Sequence, residues 1–143
     1  MPERPDFIKH FSDIETRTYE QTDPPGGKGR SIALSHATGG GKLSADILIV
    51  APGDVLSHFH WHTKWEEFFY LLRGECSVRV GDSRYPLAEG DSLTFPPDMG
   101  EGHQFINDSS ADVWILAVDS HDADDEAHRP DLGTIWRRSD RPA

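Results

Sequence analysis

The segment His60-Trp61-His62-Thr63-Lys64-Trp65-Glu66-Glu67 and the later run Gly102-His103-Gln104-Phe105-Ile106-Asn107 hold the residues of this chain best suited to chemistry. In an extended strand side chains alternate between faces, so His60 and His62 point the same way, as two imidazoles must to grip one ion. A carboxylate from the Glu66-Glu67 pair and a third imidazole from His103 complete a set of three nitrogens and one oxygen. Such a set suits one divalent transition metal ion per chain, with Fe, Mn, Ni and Zn all acceptable, and a six-coordinate ion would keep two positions for a small molecule.

Alternation alone leaves choices open. His58 has the parity of His60 and His62, so any two of them could form the pair. Glu66 and Glu67 are not separated either, because Phe68 and Tyr70 are as apolar as Phe69 and Leu71.

The elements that must position these groups read as short strands. Runs rich in β-branched and aromatic residues, bounded by Gly, Pro and Asp, predict strands over 43–50, 56–62, 67–73, 75–80, 84–87, 92–95, 103–107 and 112–118. Val80-Gly81-Asp82-Ser83-Arg84 fits a tight hairpin and Ala88-Glu89-Gly90-Asp91 a turn. No long amphipathic helix competes, so the expected class is an all-β antiparallel sandwich or barrel, whose interior brings distant residues onto one wall.

Three regions follow: an N-terminal extension and connector over 1–30, a barrel over 31–120 and an acidic C-terminal segment over 121–143. Asp6 to Ile14 fits a short helix, and Pro24-Pro25-Gly26-Gly27-Lys28-Gly29 reads as an irregular connector. Its glycines lack the spacing of a phosphate-binding loop. Thr38-Gly39-Gly40-Gly41-Lys42 reads as a turn between strands. The charge run from Asp119 to Glu126 reads as a solvated segment with no ligand role.

Composition bounds the rest. With 143 residues and 36% hydrophobic content the chain can bury one core. No stretch of apolar residues is long enough for a transmembrane helix, and the N-terminus lacks a basic region followed by an apolar one. A cytoplasmic location, with no membrane partner, is the expectation. Fourteen basic against 25 acidic residues give a net charge of −11, the wrong sign for holding nucleic acid. Cys76, the single cysteine, reads as a small buried hydrophobe.

The spacing of these motifs resembles the cupin superfamily. Its first motif is matched by Gly53, His60-Trp61-His62, Glu67 and Gly74, with one residue more than usual between Gly53 and His60. Its second is matched by Gly90, Pro96, Gly100, His103 and Asn107, with two extra residues in Pro96-Pro97-Asp98-Met99-Gly100. Both departures fall in turns, where insertions are tolerated. The resemblance implies a double-stranded β-helix, a jelly-roll-like cupin barrel with an irregular N-terminal extension.

It also selects His60, His62, Glu67 and His103 as metal ligands. His58 is then an ordinary polar or rim residue, Glu66 faces outward, and Asn107 supports the structure around the site. Phe69, Leu71, Phe95 and Phe105 are candidates for the inward wall. Trp61 and Trp65 would cover the outside of the sheet, toward the partner of a homodimer.

The functions implied are those of a metal-dependent enzyme acting on a small oxygen-bearing molecule, with a dioxygenase-type oxidoreductase as the leading expectation. The alternatives are a non-catalytic metal-containing binding or sensing domain and a Lewis-acid isomerase or epimerase. Glu101, in the lengthened turn before His103, is the candidate catalytic proton donor. Only Lys64 and Arg73 could hold an anionic substrate, which disfavours oxalate and phosphosugars.

Overall fold

The structure is a computed structural model that describes residues 2–140; residue 1 of the expected extension and residues 141–143 of the expected acidic segment lie outside the described residues. Among the described residues, twelve strands carry almost all of the regular structure: β1 (Thr16–Thr22), β2 (Pro25–Ala33), β3 (Leu43–Val50), β4 (Trp61–His62), β5 (Glu67–Arg73), β6 (Cys76–Val80), β7 (Ser83–Leu87), β8 (Ser92–Phe95), β9 (His103–Ile106), β10 (Val113–Ser120), β11 (Glu126–Arg129) and β12 (Thr134–Arg137). One antiparallel sheet runs in the order β1-β2-β3-β10-β5-β8. The other layer comprises β12-β11-β4 and β7-β6-β9, joined by bridges between His60 and His103 and between Val55 and Ile106. Side chains from both layers share one buried cluster, so the sheets close as a jelly-roll-like all-β barrel. Among the described residues no helix is long and apolar enough to cross a membrane.

The barrel's inward faces follow from strand alternation. β5 buries Glu67, Phe69 and Leu71 while Phe68 and Tyr70 face out, which separates Glu67 from Glu66. β10 turns Val113, Ile115 and Ala117 inward, and Asp119 has the same parity. The register pairs Val113 with Val50, Ile115 with Leu48, Ala117 with Asp46 and Asp119 with Ser44 on β3, and Ile115 with Leu71, Ala117 with Phe69 and Asp119 with Glu67 on β5. Three neighbouring strands therefore run from apolar to polar in the same spatial direction. Leu71 and Ile115, both at 0% exposure, sit toward the apolar end; each such burial stabilises the fold by roughly 1.5–3 kcal/mol.

Four expectations are corrected. The helix over 6–14 reduces to one 3-10 turn, Phe11–Asp13. The irregular extension and connector over 1–30 instead contains β1 and most of β2, a hairpin paired onto β3. Its glycines serve close approach: a Cβ on Gly26 would strike the His58 ring and one on Gly27 the Leu56–Ser57 backbone. The strand over 56–62 survives only as Trp61–His62, since the chain before it is held by single contacts such as Leu56 N–H to Phe105 carbonyl. The acidic C-terminal segment forms β11 and β12, with β11 paired to β4.

Candidate metal centre

β4 and its lead-in present His60 and His62, β5 presents Glu67, and β9 presents His103. The ligand atoms of His60, His62 and Glu67 lie within 4.8 Å of one another. The Nε2 atoms of His60, His62 and His103 stand 3.8, 3.4 and 3.1 Å from Glu67 Oε1. Three imidazoles thus converge on one carboxylate oxygen.

Hydrogen bonds on the far side of two rings determine what faces that oxygen. His60 Nδ1 lies 2.6 Å from the His58 carbonyl, and His62 Nδ1 lies 2.6 Å from Asp125 Oδ2. A carbonyl and a carboxylate can only accept, so each Nδ1 carries a proton, which leaves each Nε2 to face Glu67. Burial first of all, reinforced by His103 and His62, pulls the His60 pKa down to about 4 against the opposing pull of Glu67 and the His58 carbonyl, so this ring is neutral near pH 7. Burial alone would raise Glu67, but positive charge on the His103, His60 and His62 side would outweigh it and hold the carboxyl at about 2. The buried carboxylate must be balanced by positive charge among these nitrogens, and one divalent ion would serve all four groups at once.

His103 gives the same indication independently. It is 2% exposed, and neither of its ring nitrogens has a hydrogen-bond partner; the 3.1 Å approach to Glu67 lacks hydrogen-bond geometry. Phe95 stacks on its ring at 3.8 Å between centroids and 6° between planes, fixing the orientation. A buried nitrogen without a partner is costly, and a bound divalent ion would satisfy the Nε2 atom. The residues present therefore fit a metal.

Asp125 was not foreseen as part of this site. It is 4% exposed, its Oδ2 holds His62, and its Oδ1 accepts the backbone N–H groups of Lys64 and Trp65 at 2.9 and 3.1 Å. The segment expected to be solvated thus supplies a buried carboxylate that sets the tautomer and orientation of a candidate ligand. The same segment clamps Trp65, whose ring stacks between His62 and His121 and whose Nε1–H donates to the Asp122 carbonyl. Trp61 stacks on His128 at 4.2 Å. Trp65 is thus drawn in to line the site, not placed on the outside of the barrel as expected, whereas Trp61 has the parity opposite to His62 and lies beside its cross-strand neighbour His128.

A cavity of about 230 Å³ opens at the cluster, lined by His60, His62, Glu67 and His103, by Phe69 and Phe105, and by Asp119. Asp119 Oδ1 is buried without a hydrogen-bond partner. Burial, then the nearby Glu67 and Asp46 carboxylates, push the Asp119 pKa up to about 8. Its inward parity continues Val113-Ile115-Ala117, so the signal lay in the sequence, one residue past the predicted end of that strand at 118. Nothing local singled out Asp125 within its acidic run.

The other candidates fall elsewhere. Glu101 is exposed and its carboxylate lies over Gly81 in the β6–β7 turn, away from the cavity. His58 is buried with its Nε2 at 2.9 Å from the Pro24 carbonyl, serving the β1–β2 turn. Glu66 faces out, with its backbone N–H bonded to Ser120 Oγ. Arg73 lies over Trp114 on the outer face and Lys64 is exposed. Asn107 is structural: its amide donates to the Val50 and Ala111 carbonyls and accepts from Ser109. Leu71 belongs to the deep core, and Cys76 is a buried hydrophobe whose thiol is pushed up to about 12 by burial and then by Asp108. The lengthened turn before Glu101 is anchored by Asp98 N–H to the His62 carbonyl at 2.8 Å.

Comparison with known proteins adds the following. A family model described as "Cupin domain" matches residues 46–119. Protein SchB of Streptomyces halstedii is 29% identical over 77% of this chain and 75% of its own length. Polyketide synthase CurC of Streptomyces cyaneus is 26% identical over 68% of this chain and 63% of its own length, less than two thirds of that protein. Among solved structures, one from Acidithiobacillus ferrooxidans, provisionally described as a sugar phosphate isomerase, superposes with a TM-score of 0.85 at 20% identity, covering 96% of each chain. At that identity the likeness extends to the fold alone.

Proposed function

Because this chain belongs to the cupin family, we propose that it is a metal-dependent enzyme that moves protons on a small oxygen-bearing molecule held at the open end of the barrel. His60, His62, Glu67 and His103 would hold one divalent Fe, Mn, Ni or Zn ion. When bound, the ion supplies Lewis acidity that polarises an oxygen of the substrate.

The observation that carries the reading is Asp119 Oδ1, a buried carboxyl oxygen without a partner in the same cavity as the ligand cluster. A carboxyl so placed can take a proton from a carbon or hydroxyl beside a polarised oxygen and return it to another position, as enolisation and isomerisation require. Phe69 and Phe105 form an apolar wall that limits water beside the transferred proton. Oxidative cleavage, the leading expectation from the resemblance, gives Asp119 no task, and so ranks second. The name of CurC places that relative in polyketide synthesis, and polyketides are rich in carbons beside carbonyl groups; this supports the same class of chemistry.

The test is proton exchange. Protein reconstituted in turn with each metal is incubated in D₂O with hydroxyketones, β-diketones and sugars, and deuterium entry at carbon is followed by NMR. Exchange lost in both His60→Ala and Asp119→Asn is the expected result. Oxygen consumption without exchange would instead establish the dioxygenase reading, and saturable binding with neither would establish a binding domain. A homodimer, which the resemblance also implies, would use Phe68 and Tyr70, exposed on the outer face of β5, and sedimentation equilibrium tests it.

A further inference from the structure

Outside the ligand cluster, a second cavity of about 250 Å³ is lined by Ser44, Asp46, Trp65, Asp119, His121 and Arg138, among others. Trp65 and Asp119 line both cavities, so the two are neighbouring compartments that share a wall, with the Trp65 ring between His62 on one side and His121 on the other. Strand register explains the inner wall of the second cavity. Ser44 and Asp46 on β3 and Asp119 on β10 are inward residues at the polar end, with Asp119 opposite Ser44 and Asp46 opposite Ala117. Ala117 is the smallest inward residue at its level and leaves room beside Asp46. Ser44 Oγ donates to Asp46 Oδ2 at 3.1 Å, while Asp119 Oδ1 accepts from nothing.

Resting on the proposed function above, we propose that this second compartment is the substrate subsite and that it accepts a neutral polyhydroxylated molecule while rejecting phosphorylated ones. Hydroxyl groups are donors, and the wall offers carboxyl oxygens to receive them, one of them buried and unpartnered. A phosphate is acceptor-only and doubly charged, so in this compartment it would meet the Asp46 carboxylate and the acceptor oxygen of Asp119, with one guanidinium, Arg138, and the His121 ring to hold it. The whole chain repels it further, with a net charge of −11. Likeness of fold to a sugar phosphate isomerase thus does not extend to the phosphate.

The experiment uses the full chain loaded with Mn(II), which speeds the nuclear relaxation of any molecule held beside it. D-arabinose and D-arabinose 5-phosphate are the probes, and electron paramagnetic resonance reports whether the manganese is protein-bound. The expected result is bound manganese, enhanced relaxation of arabinose, and about tenfold weaker binding of the phosphate. In Asp46→Asn/Asp119→Asn, or in Asp46→Asn alone if the double variant does not fold, that discrimination shrinks. Equal or tighter binding of the phosphate by the unaltered chain overturns the proposal, as does bound manganese with neither probe affected. Free manganese in the resonance spectrum marks failure of the metal centre itself, and takes the subsite with it.

Discussion

The two ends of the barrel interior are built from the same strands and differ in nearly every physical respect. At one end Val113, Ile115, Val50 and Leu71 exclude water, and the buried Asn107 beside them has its hydrogen bonds satisfied. At the other end His60, His62, Glu67, His103 and Asp119 crowd together, and His103 and Asp119 leave buried polar atoms without partners. The difference teaches where the fold obtains its stability and where it gives some up. Unsatisfied buried groups cost of the order of 1–3 kcal/mol each, and those of His103 and Asp119 face one cavity beside the ligand cluster, which supports the reading that this end takes an occupant.

Breaking the comparison outright requires removing a ligand. His62→Ala or Glu67→Ala is expected to abolish stoichiometric metal binding, measured by elemental analysis after dialysis, while the circular dichroism spectrum stays that of an all-β protein. The apolar end should respond in the opposite sense. Ile115→Ala is expected to lower unfolding free energy by about 2–5 kcal/mol in a urea titration, through lost burial plus a cavity, and to leave the metal content at one ion per chain.

Asp125 sharpens the contrast, because it touches a ligand without joining the set. Asp125→Asn weakens its grip on the His62 Nδ1–H, and metal affinity measured by chelator competition should fall about 10–100-fold. An unchanged affinity would show that His62 needs no such partner.

The smallest effect concerns pH. In the metal-free protein Asp119 titrates at about 8, against 3.8 for an ordinary aspartate. Between those values the unfolded chain has released this proton and the folded chain has not, so the folded state binds more protons and the group's contribution to stability falls as pH rises. Asp119→Asn removes that loss, so its melting temperature should gain on the unaltered chain from pH 4 to pH 8 and gain nothing more above. His60, held near 4 against an ordinary 6.5, acts with the opposite sign, its contribution being lost as pH falls through that window. A gap between Asp119→Asn and the unaltered chain that stayed constant from pH 4 to pH 8 would contradict the assignment.

Much of this was legible in the sequence, for reasons that differ by element. β3, β5 and β8 have the bounds that their apolar alternation and flanking turns predict, and motif spacing resolved Glu67 from Glu66 before β5 was seen to bury it. β1 and β2 were hidden because Gly26 and Gly27, which make room for His58 and the Leu56–Ser57 backbone, look like breakers when read alone. Parity misled at His58, since the chain from Leu56 to Phe59 is not a regular strand. Asp125 was illegible in principle: its role depends on β11 pairing with β4, a contact across 63 residues from His62.

The central claim is that the polar end holds one divalent ion on three imidazoles and a carboxylate. X-ray absorption at the metal edge of the reconstituted chain tests it most directly. The account predicts one ion per chain with scattering from three imidazoles, falling to two in His103→Ala. An ion without imidazole scattering, or a pattern unchanged in His103→Ala, would contradict it.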